Sequence, residues 1–502
     1  MKRFFRDRRP LKTGIPAFVI AVVMTLPAWG GNGRKPGSDG VSEVLNWNTI
    51  AIDTSGRDHG GVREQLGPGR SSKAIAMVQI AIFDVVNAIE GGYESYAGIE
   101  RVGHNTSLKA AIAQAAHDTL VDQFPAQAAI IDAELEESLE DIQDSSTKTK
   151  GIELGKQAAA AIIAAREDDG SIHDDPLMGS EWHTSDDPGH WRQDPVSPLP
   201  IALGAHWGDV LPFVLESSDQ FRTPPPPDMN SEAYTRAFNE VKRLGGDGDI
   251  TPTERTEEQG IIGVYWAYDG TPALCAPPRL YNQIAVNIAE TKKLNTIQLA
   301  RMLALINVAM ADAGIAIWES KYHWDFWRPV TGIREADPNT GPTGLGDGND
   351  DTLGDVTFTP LGAPASNLEE VFTDFTPPFP AYPSGHAGFG GALFQTLRRF
   401  YGTDDIPFTF ISDEFNGVTQ DDEGNTRPLV SRSFETLSQA EEENGQSRIY
   451  LGIHWEFDKT EGIAQGRQVA DFVFDNAFKP LPKGNGGNSG GQVNGGGGDQ
   501  HN

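Results

Sequence analysis

The stretch PSGHAGFGG, residues 383–391, places four glycines near the start of a segment that otherwise has helical character. A glycine inside a helix costs roughly 1 kcal/mol relative to alanine. Ser384 is a favourable N-cap residue, and Gly402 is a favourable residue to end the helix. Glycine lets a backbone approach another group closely, and the first N–H groups of a helix lack intrahelical acceptors. We therefore predict that this glycine-rich helix start faces a tetrahedral oxyanion.

A second segment, KYHWDFWRP at residues 321–329, gathers basic side chains in a chain whose net charge is −31. Lys321 and Arg328 are seven residues apart, which is two helical turns, so both side chains leave one face of a helix. Pro329 favours a break in the helix directly after them.

The third segment is SRIYLGIHWEFD, residues 447–458. Its Arg448 and His454 are six residues apart, so they can converge only if the helix breaks between them. Gly452 makes such a break plausible.

Taken singly, each of these basic residues has an ordinary alternative as a surface or structural side chain. If Lys321, Arg328 and Arg448 converge, however, like charges about 4 Å apart repel by roughly 4 kcal/mol at an effective dielectric constant near 20. A bound anion would make the net interaction favourable instead of repulsive, because charge-assisted hydrogen bonds contribute about 1.5 to 3 kcal/mol each. The three segments therefore indicate an anion site if they meet in space.

Together, the segments resemble the three-part signature of the superfamily that joins vanadium-dependent haloperoxidases to type 2 phosphatidic acid phosphatases and bacterial acid phosphatases. That signature is Lys, six residues, Arg-Pro; then Pro-Ser-Gly-His; then Ser-Arg, five residues, His. The matching residues are Lys321, Arg328, Pro329, Pro383, Ser384, Gly385, His386, Ser447, Arg448 and His454.

Stretches outside the signature are similar to fungal vanadium chloroperoxidases. They are PPFPAYPSGHAGFGGALFQTLRRFYG, YWAYDG with PPRLYNQIA, and LARMLALINVAMADAGIAIW, so that the resemblance covers roughly residues 255–475. The last two motifs are separated by the 60 residues from 387 to 446, more than compact phosphatases usually have. The chain is thus identified as a member of the chloroperoxidase-like branch.

This resemblance implies vanadate as the cofactor. His454 would be the metal ligand, His386 would exchange a proton as a general acid–base residue, and Lys321 would polarise peroxide. The implied cofactor-binding residues are Lys321, Arg328, Ser384, Gly385, Arg448 and His454.

The family's halide pocket is lined at the positions of Trp318 and Phe379, although ordinary core packing is the alternative for both residues. Bromoperoxidases of algae tend to carry histidine where this chain has Phe379, so the comparison leans towards chloride. Asp269 stands where the family uses a carboxylate to brace the second arginine, here Arg448.

The implied activity is oxidation of chloride or bromide by hydrogen peroxide to hypohalous acid, which halogenates small organic acceptors. The alternative is an acid phosphatase, a phosphomonoesterase in which His454 would be the nucleophile and His386 would protonate the leaving alcohol. A third alternative is a non-catalytic exported protein that has kept an anion site.

Helical patterns dominate the chain, and no convincing run of alternating strand residues is present. We predict a mainly α fold with two four-helix-bundle-like halves, long irregular connections and little or no sheet. A solvated loop is preferred over a calcium site for DGNDDTLGD at 347–355, which lacks the EF-hand glycine and closing glutamate. The predicted helices are 72–90, 106–123, 126–143, 148–167, 231–245, 254–268, 278–293 and one that starts near Thr296 as its cap.

The first 12 residues carry six basic side chains and precede an apolar stretch and glycine-rich chain, which is the layout of a secretory signal. A retained membrane anchor is the alternative. We predict a signal at 1–30, an N-terminal helical region at 31–215, a catalytic helical bundle at 216–480 and a disordered Gly/Asn-rich tail at 481–502.

The expected location is therefore periplasmic or extracellular, without stable membrane insertion after removal of the signal. The negative charge is spread along the chain and argues against nucleic acid as a partner. The expected partners are hydrogen peroxide, halide and a small organic acceptor, and the long apolar helices at 72–167 could also pack across a homodimer.

Overall fold

The computed structural model describes residues 39–368 and 373–482. The predicted signal at 1–30 and residues 483–502 of the predicted tail lie outside these residues. The helices are α1 (Asp39–Gly60), α2 (Gly67–Glu90), α3 (Leu108–Gln123), α4 (Ala128–Glu140), α5 (Ser146–Ala165), α6 (Glu232–Leu244), α7 (Glu257–Tyr265), α8 (Pro277–Glu290), α9 (Thr296–Trp324), α10 (Pro329–Arg334), α11 (Gly385–Tyr401), α12 (Leu437–Tyr450) and α13 (Glu456–Asn476).

The mainly α fold is confirmed, and its sheet is small. Strands β1 (Phe408–Asn416) and β2 (Leu429–Phe434) form one antiparallel pair. Sequence analysis did not identify them, although the first residues of β1 alternate between buried and exposed positions as a half-buried strand does. They lie between α11 and α12 and account for part of the long separation between the last two motifs.

Helix α9 is the central element of the fold. Helices α1, α2, α3 and α5 pack together on one side, while α11, α12 and α13 pack together on the other. The side chain of Asn295 accepts from the Gln298 N–H, and the Gln298 side chain accepts from the Asn295 N–H. Asn295, not Thr296 as predicted, is therefore the N-cap, because this reciprocal capping box satisfies two donors at the helix start.

Both α2 and α9 are long and apolar enough to cross a membrane by length and composition alone. In the structure, the most apolar 18-residue window of each helix is completely buried inside the protein. Packing within the core therefore accounts for the apolar character of both helices.

One hydrophobic core crosses the boundary that was predicted at residue 215. It includes Met77 of α2, Leu303 of α9 and Leu393 of α11, all of them buried. Asp312 on α9 accepts hydrogen bonds from the backbone N–H groups of Phe213 and Leu215, at 2.6 and 3.0 Å. The irregular connection is thus fastened to the helix at the centre of the fold.

Gly388 and Gly391 of α11 serve helix packing, which corrects the prediction that the whole glycine-rich helix start faces an anion. A methyl group at Gly391 would lie 2.6 Å from the carbonyl oxygen of Ile463, and one at Gly388 would overlap the side chain of Ile317. On the facing helix α13, a methyl group at Gly462 would lie 2.6 Å from the Ser384 carbonyl oxygen, and one at Gly466 would overlap the Gly388 carbonyl. Close backbone contact between two helices requires residues without a Cβ at these positions.

A histidine of α3 gives the fold a pH-dependent contact. Nδ1 of His117 lies 2.7 Å from Asp118, and Nε2 lies 2.8 Å from Asp132. Burial lowers the pKa of His117, but the hydrogen bonds to both carboxylates outweigh it and raise the pKa overall. A histidine with a raised pKa stabilises the folded state fully below its unfolded pKa and loses that contribution as the pH rises through the folded pKa.

We expect His117→Gln to lower the free energy of unfolding by about 0.5 to 1 kcal/mol at pH 5.5, because the pair is partly exposed and screened. The difference should shrink as the pH rises through the raised pKa. Urea unfolding at several pH values measures it, with the exposed His104→Gln as the control. A difference between His117→Gln and the wild type that grows with pH would contradict the assignment.

Candidate active site

The three predicted segments meet around His454. Lys321 lies in the last turn of α9, Arg328 precedes α10, and Arg448 lies in the last turn of α12. His454 is in the short connection between α12 and α13, where Gly452 adopts a positive φ of 73°. Burial lowers the pKa of His454, and the charges of Arg328, Lys321 and Arg448 lower it further, in that order. All three cations therefore act on one buried imidazole.

Two of these cations are held by backbone carbonyl groups of the segment before α11. Nζ of Lys321 donates to the carbonyl oxygens of Pro380 and Ala381 at 2.7 and 2.9 Å. Nε of Arg328 donates to that of Phe379 at 2.9 Å. Burial lowers the pKa of Lys321, as does the charge of Arg328. Because prolines interrupt regular pairing in this segment, its carbonyl groups are available to the two side chains.

Arg448 is held from one side only. Its Nη2 donates to both oxygens of Asp269, at 2.9 and 2.7 Å, as the resemblance implied. Burial raises the pKa of Asp269, while the guanidinium of Arg448 opposes that rise. Nε and Nη1 of Arg448 are buried and have no hydrogen-bond partner among the described residues. Two charged donors are thus left for a ligand, since such donors are costly to bury unpaired.

The tautomer of His454 follows from its partners. Arg328 Nη1 lies 2.9 Å from His454 Nε2, and an arginine can only donate, so Nε2 carries a lone pair. The proton is on Nδ1, which lies 2.8 Å from Oδ2 of Asp458. The same Oδ2 accepts the Trp455 N–H at 3.0 Å, so it acts as an acceptor towards both groups. An imidazole with its Nε2 lone pair free of a proton is the form that binds a metal.

His386 is the second buried imidazole, in the first turn of α11. Its Nε2 lies 2.5 Å from the Ala267 carbonyl oxygen and therefore carries the proton, which leaves a lone pair on Nδ1 of the neutral ring. Burial lowers the pKa of His386 well below its ordinary value, and the charge of Arg448 lowers it further. Within the described residues Nδ1 has no hydrogen-bond partner, so it is the atom that can accept a proton.

The start of α11 contributes further donors. The Ser384 hydroxyl oxygen accepts the Ala387 N–H at 3.4 Å, so Ser384 is the N-cap and its O–H hydrogen remains free to donate. The Gly385 N–H has no intrahelical acceptor, because it belongs to the first turn. These two groups are the part of the glycine-rich stretch that can contact an anion.

Trp318 and Phe379 form an aromatic wall next to the cations. Their ring centroids are 5.0 Å apart, and Nζ of Lys321 lies 5.0 Å from the centroid of Phe379. Both residues line one cavity of about 760 Å³ that also reaches His386, Arg448 and His454. The two aromatic side chains therefore border both the core and the cavity, rather than packing only in the core.

These residues fit a vanadate ion. Among the described residues, three buried cations are opposed by two buried carboxylate side chains, those of Asp269 and Asp458, and burial raises the pKa of Asp458 to about 7. The unpaired donors of Arg448 supply hydrogen bonds to oxygen atoms, and His454 Nε2 supplies one nitrogen donor. An oxyanion that also accepts a nitrogen ligand satisfies both requirements.

Sequence analysis missed two supporting groups. Asp458 could have been found, because it follows His454 by four residues, the spacing at which side chains meet across the start of a helix. The second is Asn444, whose side-chain amide donates to the His386 carbonyl oxygen at 3.0 Å. A methyl group at Gly390 would overlap this amide nitrogen. Gly390 is thus explained by this hydrogen bond, which no local pattern indicates.

Comparison with known proteins agrees with this geometry. Residues 301–482 match the family described as the VCPO second helical-bundle domain. The chain is 29% identical to the vanadium chloroperoxidase of Curvularia inaequalis over 501 residues, which cover 84% of this chain and 80% of that protein. A vanadium-dependent bromoperoxidase of Corallina officinalis is 31% identical over 135 residues, which cover 24% of this chain and 21% of that protein.

Solved structures support the fold. A bacterial vanadium-dependent iodoperoxidase superposes with a TM-score of 0.67 at 22% identity, covering 89% of this chain and 97% of that one. A bacterial vanadium-dependent chloroperoxidase in its holo form superposes with a TM-score of 0.59 at 19% identity, and the match covers 82% of this chain and 92% of that one. Residues 301–482 thus match a VCPO helical-bundle domain, and the chain as a whole is similar to vanadium-dependent haloperoxidases in sequence and in fold.

Proposed function

We propose that this chain oxidises chloride or bromide with hydrogen peroxide to hypohalous acid, which halogenates an organic acceptor, and that vanadate is its cofactor. The observation that carries the proposal is the Nε2 lone pair of His454, which lies among three buried cations and beside the unpaired donors of Arg448. Vanadium haloperoxidase activity is also what the related proteins are named for.

The residues proposed to hold vanadate are Lys321, Arg328, Ser384, Gly385, Arg448 and His454. When bound, vanadate supplies a Lewis acid that activates peroxide without a change in its own oxidation state. The cations offset the negative charge of the oxyanion, and Asp269 fixes the orientation of Arg448 through its two hydrogen bonds. Asp458 fixes the ring of His454.

His386 is proposed to accept a proton from hydrogen peroxide at Nδ1 and to return it later. Its lowered pKa keeps the ring neutral near pH 7, so that it is ready to act as a base. Lys321 can use its remaining hydrogen to polarise an oxygen atom, because two of its hydrogens are committed to carbonyl groups.

The aromatic wall is proposed to bind the halide. Phe379 lies 4.9 Å from the guanidinium carbon of Arg328 and 5.0 Å from Lys321 Nζ, so an anion beside this ring is close to two cations. We expect Phe379→His to raise the ratio of bromide to chloride oxidation by about threefold or more, because it removes a cation–π contact and adds a polar group.

Steady-state oxidation of each halide at fixed peroxide measures that ratio. The matched control is Phe375→His, since Phe375 lines the same cavity. An unchanged ratio in Phe379→His, or an equal shift in both variants, would remove Phe379 from the halide pocket.

An acid phosphatase would use the same anion site. A deep and narrow aromatic pocket would exclude bulky esters, whereas this cavity of about 760 Å³ has room for an organic ester. The likeness to haloperoxidases along most of the chain favours peroxide chemistry.

The deciding experiment adds orthovanadate to purified protein in phosphate-free buffer. Halogenation of monochlorodimedone is then followed with hydrogen peroxide and chloride, bromide or iodide. Hydrolysis of p-nitrophenyl phosphate is measured beside it, with vanadate as inhibitor. Vanadate-dependent halogenation is expected; phosphate release that vanadate inhibits, without halogenation, would replace the proposal by a phosphatase.

We further propose that the protein is exported, which the composition of residues 1–30 supports. N-terminal sequencing of the protein recovered from culture medium or periplasm tests this location, and recovery only from the cytoplasm would contradict it.

A further inference from the structure

The cavity beside the site is far larger than peroxide and halide require. It measures about 760 Å³. A water-sized molecule takes about 30 Å³ of liquid volume, whereas pockets that enclose organic ligands measure about 300 to 1,000 Å³. An organic molecule therefore fits in the cavity while the small reactants occupy the anion site.

One wall of this cavity is apolar and already formed. It includes Pro198, Leu199, Pro200, Ile201 and Leu203 from the irregular connection between α5 and α6. Hydrogen bonds pin this segment: the Leu203 N–H donates to the Pro378 carbonyl at 3.0 Å, Gln193 donates to the Leu199 carbonyl at 2.6 Å, and Trp318 donates to the Leu203 carbonyl at 3.1 Å. A preformed apolar wall lowers the entropic cost of binding a rigid apolar molecule.

A cationic side chain stands at this wall. Arg63 lines the cavity, is exposed, and has a positive φ of 65° fixed by the hydrogen bond from its N–H to the Asp58 carbonyl at 3.1 Å. The carboxylates on either side of Arg63 in the sequence are engaged elsewhere: Asp58 accepts the N–H groups of Glu64 and Gln65, both at 2.8 Å, and Glu64 accepts the Ala126 N–H at 3.2 Å. Within the part of the chain that the structure describes, the Arg63 guanidinium has no partner.

We propose that this cavity binds the organic acceptor during turnover, and that the acceptor is an apolar ring compound whose acidic group pairs with Arg63. The inference rests on the proposed function for its chemistry, since the halogen comes from hypohalous acid. In the step, a carbon–hydrogen bond of the ring is replaced by a carbon–halogen bond. The oxygen–halogen bond of hypohalous acid breaks, and its hydroxide leaves with the ring proton as water.

An acidic acceptor needs a local positive charge on this acidic chain. The chain carries a net charge of −31, so an anion is repelled by most of its surface. An unpaired arginine next to an apolar wall offers such an anion a favourable contact together with burial of its ring. A cavity that only admits water and peroxide would need neither feature.

The test measures binding in the absence of vanadate and peroxide. Isothermal titration calorimetry of the full chain compares 2-naphthoate with 2-naphthamide, which has the same ring without the charge. We expect naphthoate to bind more tightly, Arg63→Gln to weaken it by about threefold to tenfold, and naphthamide binding to persist in that variant. Arg63→Lys should retain most of the preference, and Arg236→Gln, an exposed arginine paired with Glu232 and not part of the cavity wall, should match the wild type.

Failure to bind either compound would overturn the acceptor site. Equal loss of both ligands in Arg63→Gln, or unchanged naphthoate binding, would overturn the role of Arg63. Oxidation of iodide by the vanadate-loaded wild type is measured separately and without an organic acceptor. A failure of the proposed function therefore shows in that assay, and a failure of the acceptor site shows in the calorimetry.

Discussion

Replacement of His454 by alanine is expected to abolish halide oxidation and to lower vanadate affinity by at least about 100-fold. Loss of a residue that only hydrogen-bonds to a metal ligand already lowers metal affinity by about 10- to 100-fold, and His454 is the proposed ligand itself. Its Nε2 is the only unprotonated ring nitrogen that the described residues place against Arg328. The cations would remain, so weak binding of oxyanions should persist.

Vanadate binding can be measured without turnover, through the rise in melting temperature that a ligand of the native state produces. Wild-type protein should melt at a higher temperature as orthovanadate is added, whereas His454→Ala should respond only at much higher concentration. The exposed His104→Ala serves as the matched control and should behave as the wild type. Full activity of His454→Ala would refute the assignment of the ligand.

Removal of the Asp458 carboxylate should be the next largest effect. Asp458→Ala is expected to lower vanadate affinity by about 10- to 100-fold, because the proton of His454 is then no longer held on Nδ1. Asp458→Asn should lose much less, since an amide oxygen can still accept from Nδ1. A comparison of the vanadate affinities of the two variants distinguishes the effect of orienting the His454 ring, which asparagine keeps, from the effect of the carboxylate charge, which both variants lose.

Asp458 also accepts the Trp455 N–H at the start of α13, so its removal costs about 1 kcal/mol of stability as well. Thr436→Ala also removes a side-chain hydrogen bond at a helix start, that of the N-cap Thr436 to the Gln439 N–H of α12, and no hydrogen bond joins Thr436 to His454. This control should lose stability without losing vanadate affinity. If Asp458→Ala and Thr436→Ala behaved alike in vanadate titrations, Asp458 would be only a cap.

Local patterns predicted much of the helical framework. The caps at Ser384 and Gly402 are correct, because each depends on one residue and its nearest backbone groups. Helix α1 and the strands β1 and β2 were not predicted, because the alternation of apolar and polar residues in these segments is weak. Their structure depends on tertiary packing: α1 and β1 contact α8, and β1 pairs with β2.

The candidate site was predictable where residue type alone carries the chemistry. Lys321, Arg328 and Arg448 converge as their spacing and the break at Gly452 suggested. The carbonyl groups that hold Lys321 were not predictable, because any residue provides a carbonyl and only the fold aims it. Gly388 and Gly391 of α11 were misinterpreted for the same reason, since their close partners belong to neighbouring helices and not to a ligand.

The glycine-to-glycine contact of α11 with α13 has a consequence for redesign. His386 lies in the first turn of α11 and His454 lies just before α13, so the packing of these two helices sets the separation of the two backbone positions that carry the imidazoles. Gly388, Gly391, Gly462 and Gly466 act as a fixed spacer for the reactive groups. Trp318, Phe379 and the wall at 198–203 can be varied without disturbing that spacer. The residues that position the reactive histidines and the residues that line the cavity are therefore different. A mutant library confined to the cavity lining can change selectivity for the halide or the acceptor while the packing of α11 on α13 is kept.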